Sequence, residues 1–128
     1  MVELGRLITA MITPFDEEGK VDYQQAKRLA NALLDSGSDG LVVTGTTGEG
    51  PTLSDEEKIR LYGEVKEAIG DRGAVIAGTT DNNTAKSIEL SIEAEAAGAD
   101  AILMTVPAYN KPPQEAVSYT HLTLPTKA

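Results

Sequence analysis

Along the first hundred residues the apolar positions form two alternating kinds of segment. Short, branched-rich runs occupy residues 7–12, 41–43, 74–77 and 101–104. They are continuous rather than alternating with polar residues, the pattern of strands buried on both faces of a parallel sheet. Between them the apolar spacing changes to that of helices. Ala26, Leu29, Ala30, Leu33 and Leu34 fall at i, i+3, i+4, i+7 and i+8; Ile59, Tyr62, Val65 and Ile69 make a second stripe, and Ala85, Ile88, Ile92 and Ala96 a third. Ser54 with Glu57 predicts a capping box, in which each side chain satisfies a free N–H of the first turn. Asp22 with Gln25 is a weaker version, and Thr84 or Asn83 can cap the third helix. Gly37, Gly70 and Gly98 stand where the helices should stop.

An internal repeat supports the same reading. Gly37-Ser38-Asp39-Gly40-Leu41-Val42-Val43-Thr44 parallels Gly98-Ala99-Asp100-Ala101-Ile102-Leu103-Met104-Thr105, at an offset of 98 − 37 = 61 residues. That is two βα units of about 30 residues each. The order βαβαβαβ places the chain in the α/β class with right-handed crossovers. An open doubly wound sheet and a closed eight-stranded barrel share this order. Both put their ligand loops at the carboxyl ends of the strands, here residues 44–51, 79–83 and 106–112.

Composition narrows the partners. The chain has 128 residues, 41% of them apolar, and a net charge of −9. That is one domain's worth or less, and the charge argues against nucleic acid or an anionic membrane. Without cysteine there is no disulfide and no thiolate zinc site. The charged residues 1–6 lack the apolar run of a signal peptide, and no run nears the ~18 residues of a membrane span. A cytoplasmic protein is the expectation.

The candidate chemistry sits in Gly45-Thr46-Thr47-Gly48-Glu49-Gly50, between a strand and a helix start. A P-loop would need Gly-Lys-Ser/Thr here, and the glycine spacing is wrong for a dinucleotide fingerprint. A small carboxylate site fits better: glycines allow close approach, N–H groups ahead of a helix attract an anion, and two hydroxyls donate without charge. A glycine-rich turn whose threonines serve as caps is the alternative that the residues leave open. A second stretch, Pro107-Ala108-Tyr109-Asn110-Lys111-Pro112-Pro113, holds a phenol on a stiff loop. That phenol either relays a proton to a threonine or packs on the rim.

Residues 8–15, with Gly45-Thr46-Thr47-Gly48-Glu49 and Tyr109-Asn110-Lys111-Pro112 in this order, resemble the dihydrodipicolinate synthase family. These are class I aldolases related to N-acetylneuraminate lyase, and the resemblance covers about residues 5–115. It implies the N-terminal half, about four βα units, of a (β/α)8 TIM barrel, in a homotetramer built from tight dimers. The implied reaction condenses pyruvate, held as a Schiff base on a lysine, with aspartate semialdehyde on the way to diaminopimelate and lysine; no cofactor or metal is implied. Thr47 would bind the pyruvate carboxylate, with Gly45 and Ala10 also at the substrate. Thr46 would stand in a proton relay between two tyrosines, one of them Tyr109 reaching across a subunit interface. Positions Asp55, Lys58 and Lys86 match those where lysine inhibits some members, and two positive charges there imply weak inhibition or none.

The seven lysines, Lys20, Lys27, Lys58, Lys66, Lys86, Lys111 and Lys127, all read as solvated helix or loop residues. The family's imine-forming lysine lies on the sixth strand, so the 128 residues are expected to end before it. Residues 116–128 depart from the family's long helix and read as a tail of non-native origin, in which His121 has no catalytic role. Two other functions stay open: a sister aldolase acting on N-acetylneuraminate or a 2-keto-3-deoxy acid, and an inactive half-barrel that only binds or assembles.

Overall fold

A computed structural model describes residues 3–106 and Pro113. The Tyr109 loop and the tail 116–128 lie outside the described residues. The elements are β1 (Ile8–Ala10), α1 (Tyr23–Asp35), β2 (Gly40–Val43), α2 (Asp55–Ile69), β3 (Ala74–Gly78), α3 (Thr84–Ala97) and β4 (Ala101–Leu103), with single 3-10 turns at Gly50–Thr52 and Gly70–Arg72.

The helix starts follow the sequence. Ser54 and Glu57 form the full capping box: Glu57 N–H donates to Ser54 Oγ at 3.2 Å and Ser54 N–H donates to Glu57 Oε1 at 2.8 Å. Asp22 accepts from Gln25 N–H, and Asn83 rather than Thr84 caps α3. Gly37, Gly70 and Gly98 all take positive φ just past a helix end, where a side chain would be strained.

All four strands are parallel and neighbour one another in chain order, β1-β2-β3-β4. A doubly wound sheet reverses its order at a switch point; this one does not. Three successive right-handed crossovers then place all the helices on one face, with α1 packed on α2 and α2 on α3. The arrangement is half of a closed (β/α)8 barrel. The core fills the space between sheet and helices: Leu41, Val43, Val75 and Ala77 point into it from the strands and Leu61, Tyr62, Val65 and Leu90 from the helices. Lys27 on α1 joins Glu64 on α2 at 2.8 Å, and the Arg60 guanidinium covers the Tyr23 ring at 3.9 Å, so charges stitch the two helices outside the core.

Three expectations need correcting. Only β2 and β3 are enclosed. Edge strand β1 leaves Ile8 38% exposed, and Leu103 on β4 is 42% exposed, because no strand flanks them on the outer side among the described residues.

The third apolar stripe faces the wrong way. On α3 the buried residues are Ser87, Leu90, Ser91 and Ala94, whereas Ile92 is 47% exposed. The two serines can be buried because their hydroxyls are satisfied. Ser91 Oγ donates to Ser87 O at 2.7 Å and meets Thr79 Oγ1 at 2.7 Å; Ser87 Oγ accepts from Asp81 N–H at 2.7 Å. Small side chains there let α3 approach the end of β3 closely.

Lys58, finally, is not solvated: it is 5% exposed, on the inner side of α2. The capping box fixes the phase of α2, and Lys58 falls one residue past the box, toward the strand ends.

Candidate active site

The strand-to-helix loop after β2 is built on crowding. Val43 ends the strand, and Thr44 turns the chain with φ +57°. A β-branched residue in the left-handed region is uncommon and costs of the order of 1–3 kcal/mol. Its carbonyl then lies so near the following chain that glycine is required twice. A Cβ on Gly50 would stand 2.3 Å from Thr44 O, and one on Gly78 at 2.7 Å from it. A Cβ on Gly48 would meet Met11 O at 2.9 Å. The loop's glycines therefore answer first to the protein's own backbone; only Gly45, half-buried and against Val42, has room on one side. Thr13, three residues past β1, secures the loop, donating from Oγ1 to Gly48 O at 2.6 Å.

With the backbone fixed in this way, residues 46–49 form a turn closed by Glu49 N–H to Thr46 O at 3.0 Å and Gly50 N–H to Gly45 O at 3.1 Å. Thr46 and Thr47 stand at its crest. Both are exposed, and neither hydroxyl has a hydrogen-bond partner among the described residues. They are not caps; the cap of α2 is Ser54. The capping alternative left open by the sequence therefore does not hold.

The rim carries more hydroxyls than the sequence singled out. A hollow of about 70 Å³ is lined by Thr44, Gly45, Thr46, Gly78, Thr80 and Thr105, among others. Thr105 N–H donates to Thr80 Oγ1 at 2.8 Å, joining the ends of β3 and β4. Thr105 is the repeat partner of Thr44, so the 61-residue repeat already pointed to it. Thr47 and Ala10 line neither this hollow nor the larger cleft beside it; Ala10 is exposed on β1. Tyr109 lies outside the described residues.

That larger cleft, about 740 Å³, lies between the starts of α2 and α3 and brings together Thr46, Asp55, Lys58, Asp81 and Lys86. The three positions matched to lysine inhibition thus share one cavity, with Lys58 at its buried side.

Beneath the rim lies a group the sequence reading missed. Tyr62 is wholly buried, and its hydroxyl lies 2.7 Å from Thr44 Oγ1 and 2.9 Å from Gly78 O; Thr44 Oγ1 is also 2.9 Å from Gly78 O. Burial pushes the phenol up to about 12, the Thr44 hydrogen bond opposing the shift, so it stays a neutral donor.

Chemically the rim can hold a small carboxylate by neutral donors and pass protons between hydroxyls. Among the described residues it offers no activated nucleophile: the hollow is lined by hydroxyls, glycines and apolar groups, and a threonine hydroxyl is weak without a base beside it.

Half of a parallel barrel, with hydroxyl-bearing loops gathered at the carboxyl ends of its strands, belongs to the (β/α)8 barrel class, whose ligand loops lie at that rim. Residues 3–123 match the model of the dihydrodipicolinate synthetase family, and the chain belongs to that family. It is 61% identical over 120 residues to a 4-hydroxy-tetrahydrodipicolinate synthase of Moorella thermoacetica, covering 94% of this chain and 41% of that protein. Among solved structures it superposes on a dihydrodipicolinate synthase of Bacillus anthracis with a TM-score of 0.89 and 46% identity, over 94% of this chain and 41% of that one. It also superposes on the chloride-inhibited enzyme of Acinetobacter baumannii complexed with pyruvate, with a TM-score of 0.88 and 36% identity over 96% and 44%. The chain therefore spans about two fifths of the length of the relatives it matches.

Proposed function

We propose that the protein containing these residues is a 4-hydroxy-tetrahydrodipicolinate synthase, condensing pyruvate with aspartate semialdehyde in the cytoplasm as a homo-oligomer. The observation that carries the reading is the pair of hydroxyls, Thr46 and Thr47, that have no partner among the described residues and stand on a hydrogen-bonded turn at the carboxyl rim of the barrel. In this reading Thr47 and the Gly45 backbone hold the pyruvate carboxylate, with Ala10 near the substrate. Thr46 passes a proton with Tyr109. The nucleophile is a lysine that none of the described strands carries. An imine-forming lysine must be neutral to attack a carbonyl, hence partly desolvated at the substrate. Lys58 is buried, but it opens on the cleft between helix starts and not on the rim hollow.

The test is reductive trapping of the full-length protein with borohydride and labelled pyruvate, followed by turnover with aspartate semialdehyde. Label on a lysine together with turnover is expected. Label without turnover, and activity on a sugar acid instead, would place the protein among the sister aldolases. No label at all would remove it from imine chemistry.

A further inference from the structure

We propose that Tyr62 is a positioning residue for the Thr46–Thr47 hydroxyl pair, its buried phenol locking Thr44 in the left-handed turn from which the loop rises. The proposal rests on the rim loop being the pyruvate site.

The hydroxyl accounting comes first. Three oxygens, Thr44 Oγ1, Tyr62 OH and Gly78 O, lie within 2.7–2.9 Å of one another. The two hydroxyls bring two protons, and the Gly78 carbonyl brings none. One proton must lie between the hydroxyls and the other must reach the carbonyl, so the triangle closes only with both hydroxyls present. Tyr62 is on α2, Thr44 at the end of β2 and Gly78 at the end of β3. The three elements are thus pinned at the point where the loop leaves the sheet.

The strain is the second part. Thr44 pays the left-handed penalty of a β-branched residue, and nothing in its own chemistry favours that conformation. What opposes relaxation is its side chain, bonded to the phenol and the Gly78 carbonyl, and its carbonyl, wedged against Gly50 and Gly78. Without the phenol, Thr44 keeps one bond and can turn back toward extended backbone. The turn of residues 46–49 would move with it, since Gly50 N–H is tied to Gly45 O. Both threonine hydroxyls are exposed, so no hydrogen bond of their own to the described residues would hold them in place.

The phenol is neutral and lies under the loop, away from the solvent, so it holds and does not exchange protons. That separates it from the relay assigned to Thr46 and Tyr109.

The full-length protein with Tyr62→Phe tests this. The swap keeps the ring and deletes one oxygen. We expect KM for pyruvate to rise about 5- to 30-fold, the loss of one well-made buried hydrogen bond. Borohydride trapping at saturating pyruvate should reach the wild-type end point, since no imine-forming group is altered. Deuterium exchange at the Glu49 and Gly50 amides should quicken by about tenfold or more, a local opening, while the amides of β3 keep their rate. In a Thr44→Gly background, where positive φ costs nothing, Tyr62→Phe should change neither KM nor loop exchange further. A lower melting temperature with unchanged KM and unchanged Glu49 and Gly50 exchange would overturn the proposal and leave the phenol a packing group. Should the wild-type protein trap no pyruvate, the functional reading fails by itself. The exchange rates then still decide the positioning role, faster in Tyr62→Phe supporting it and unchanged overturning it.

Discussion

Asp39 and Asp100, 100 − 39 = 61 residues apart, do the same work at two strand starts. The Asp39 carboxylate accepts from the N–H groups of Arg6 and Leu7, both at 2.9 Å, and fixes the entry to β1. The Asp100 carboxylate accepts from Val75 N–H at 2.9 Å on β3 and pairs with Lys66 at 2.8 Å. Each aspartate follows a glycine at φ near +113° or +114° and opens its own strand while holding the start of the neighbouring one. The repeat is a device of the barrel's amino-terminal end, where residues serve stability, whereas its last member, threonine, serves the opposite rim.

Asp100→Ala should therefore destabilise the fold by about 1–3 kcal/mol, the cost of leaving a part-buried N–H and an ammonium unpartnered. Asp35→Ala, which breaks the pair with Arg72, should cost within about 0.5 kcal/mol. The difference follows from exposure: the Lys66 and Asp100 side chains are 24% and 13% exposed, those of Arg72 and Asp35 50% and 69%. Urea denaturation of the two variants decides it, and equal losses would contradict the account.

Asp39 adds a pH dependence. Hydrogen bonds from the Leu7 and Arg6 backbones hold its carboxyl below the ordinary range. A depressed folded value contributes stability above the unfolded value, and that stability is lost as pH falls through the folded one. Asp39→Asn should flatten the acid limb of the stability curve below about pH 4, with little change in its slope near neutrality. An acid limb as steep as the wild type's would rule this out.

The glycines of the rim can be separated from glycines of convenience. Gly50→Ala forces a Cβ to 2.3 Å from Thr44 O, and the backbone on both sides is fixed. A loss of several kcal/mol is expected, at the large end for point mutants. Gly63, inside α2, has only Ala97 O at 3.6 Å. Gly63→Ala should stabilise by about 0.5–1 kcal/mol through helix propensity. Thermal melts of the two variants should move in opposite directions.

How much of this was legible beforehand depended on whether a letter's chemistry matched its role. The strands, the capping box and the glycine stops could be read because apolar runs, Ser-x-x-Glu and chain reversals each have one dominant physical cause. In the sequence Tyr62 reads as one more apolar residue of the α2 stripe, since periodicity registers the ring and not the hydroxyl. The inner face of α3 was misread for the reverse reason: Ser87 and Ser91 are buried by hydrogen bonds that no hydrophobic pattern encodes. Lys58 reads as solvated because lysine is almost never fully buried, and the fold buries it nonetheless. Thr46 and Thr47 were found because glycines framed them. Thr44, the strained residue beneath, carries no such frame.

At the rim, Thr47→Val in the full-length protein should weaken pyruvate binding and slow turnover, while Thr46→Val mainly slows turnover. Each swap keeps shape and removes a hydroxyl, at about 1–3 kcal/mol for the partner left unpaired. Because neither hydroxyl has a partner in the described fold, both variants should melt at the wild-type temperature. Tyr109→Phe should behave as Thr46→Val does; wild-type turnover there would break the relay assignment.

The cleft between α2 and α3 bears on inhibition by lysine. Lys58 and Lys86 both line it, so a cationic side chain would meet two like charges, one of them buried where screening is weak. Asp55 and Asp81 offset part of this from the same cavity. If the full-length protein has the proposed synthase activity, weak or absent inhibition is expected when it is titrated with lysine. Inhibition at micromolar lysine would show that the carboxylates dominate the cavity.

The 128-residue chain, expressed as such, should show no synthase turnover and should not run as a monomer. The first part follows from the absence of a lysine on any described strand. The second follows from what the half-barrel leaves open. Strand β1 has no neighbour beyond it among the described residues, and its outer N–H and C=O groups can pair with another chain. Beside that edge Ile8 and Ile12 are 38% and 57% exposed, and at the far end of the sheet Leu103 and Val106 are 42% and 45% exposed. Ile92 adds 47% on the outer side of α3. Apolar patches beyond a few hundred Å² drive association, and an unpaired edge next to one directs it. Pairing two open sheets would cover both features at once, so a dimer is the expected soluble form and aggregation the expected failure. Size-exclusion chromatography with light scattering measures the mass directly. A sharp monomer peak that also unfolds cooperatively would mean that the open edge and face are stable in water and do not drive association.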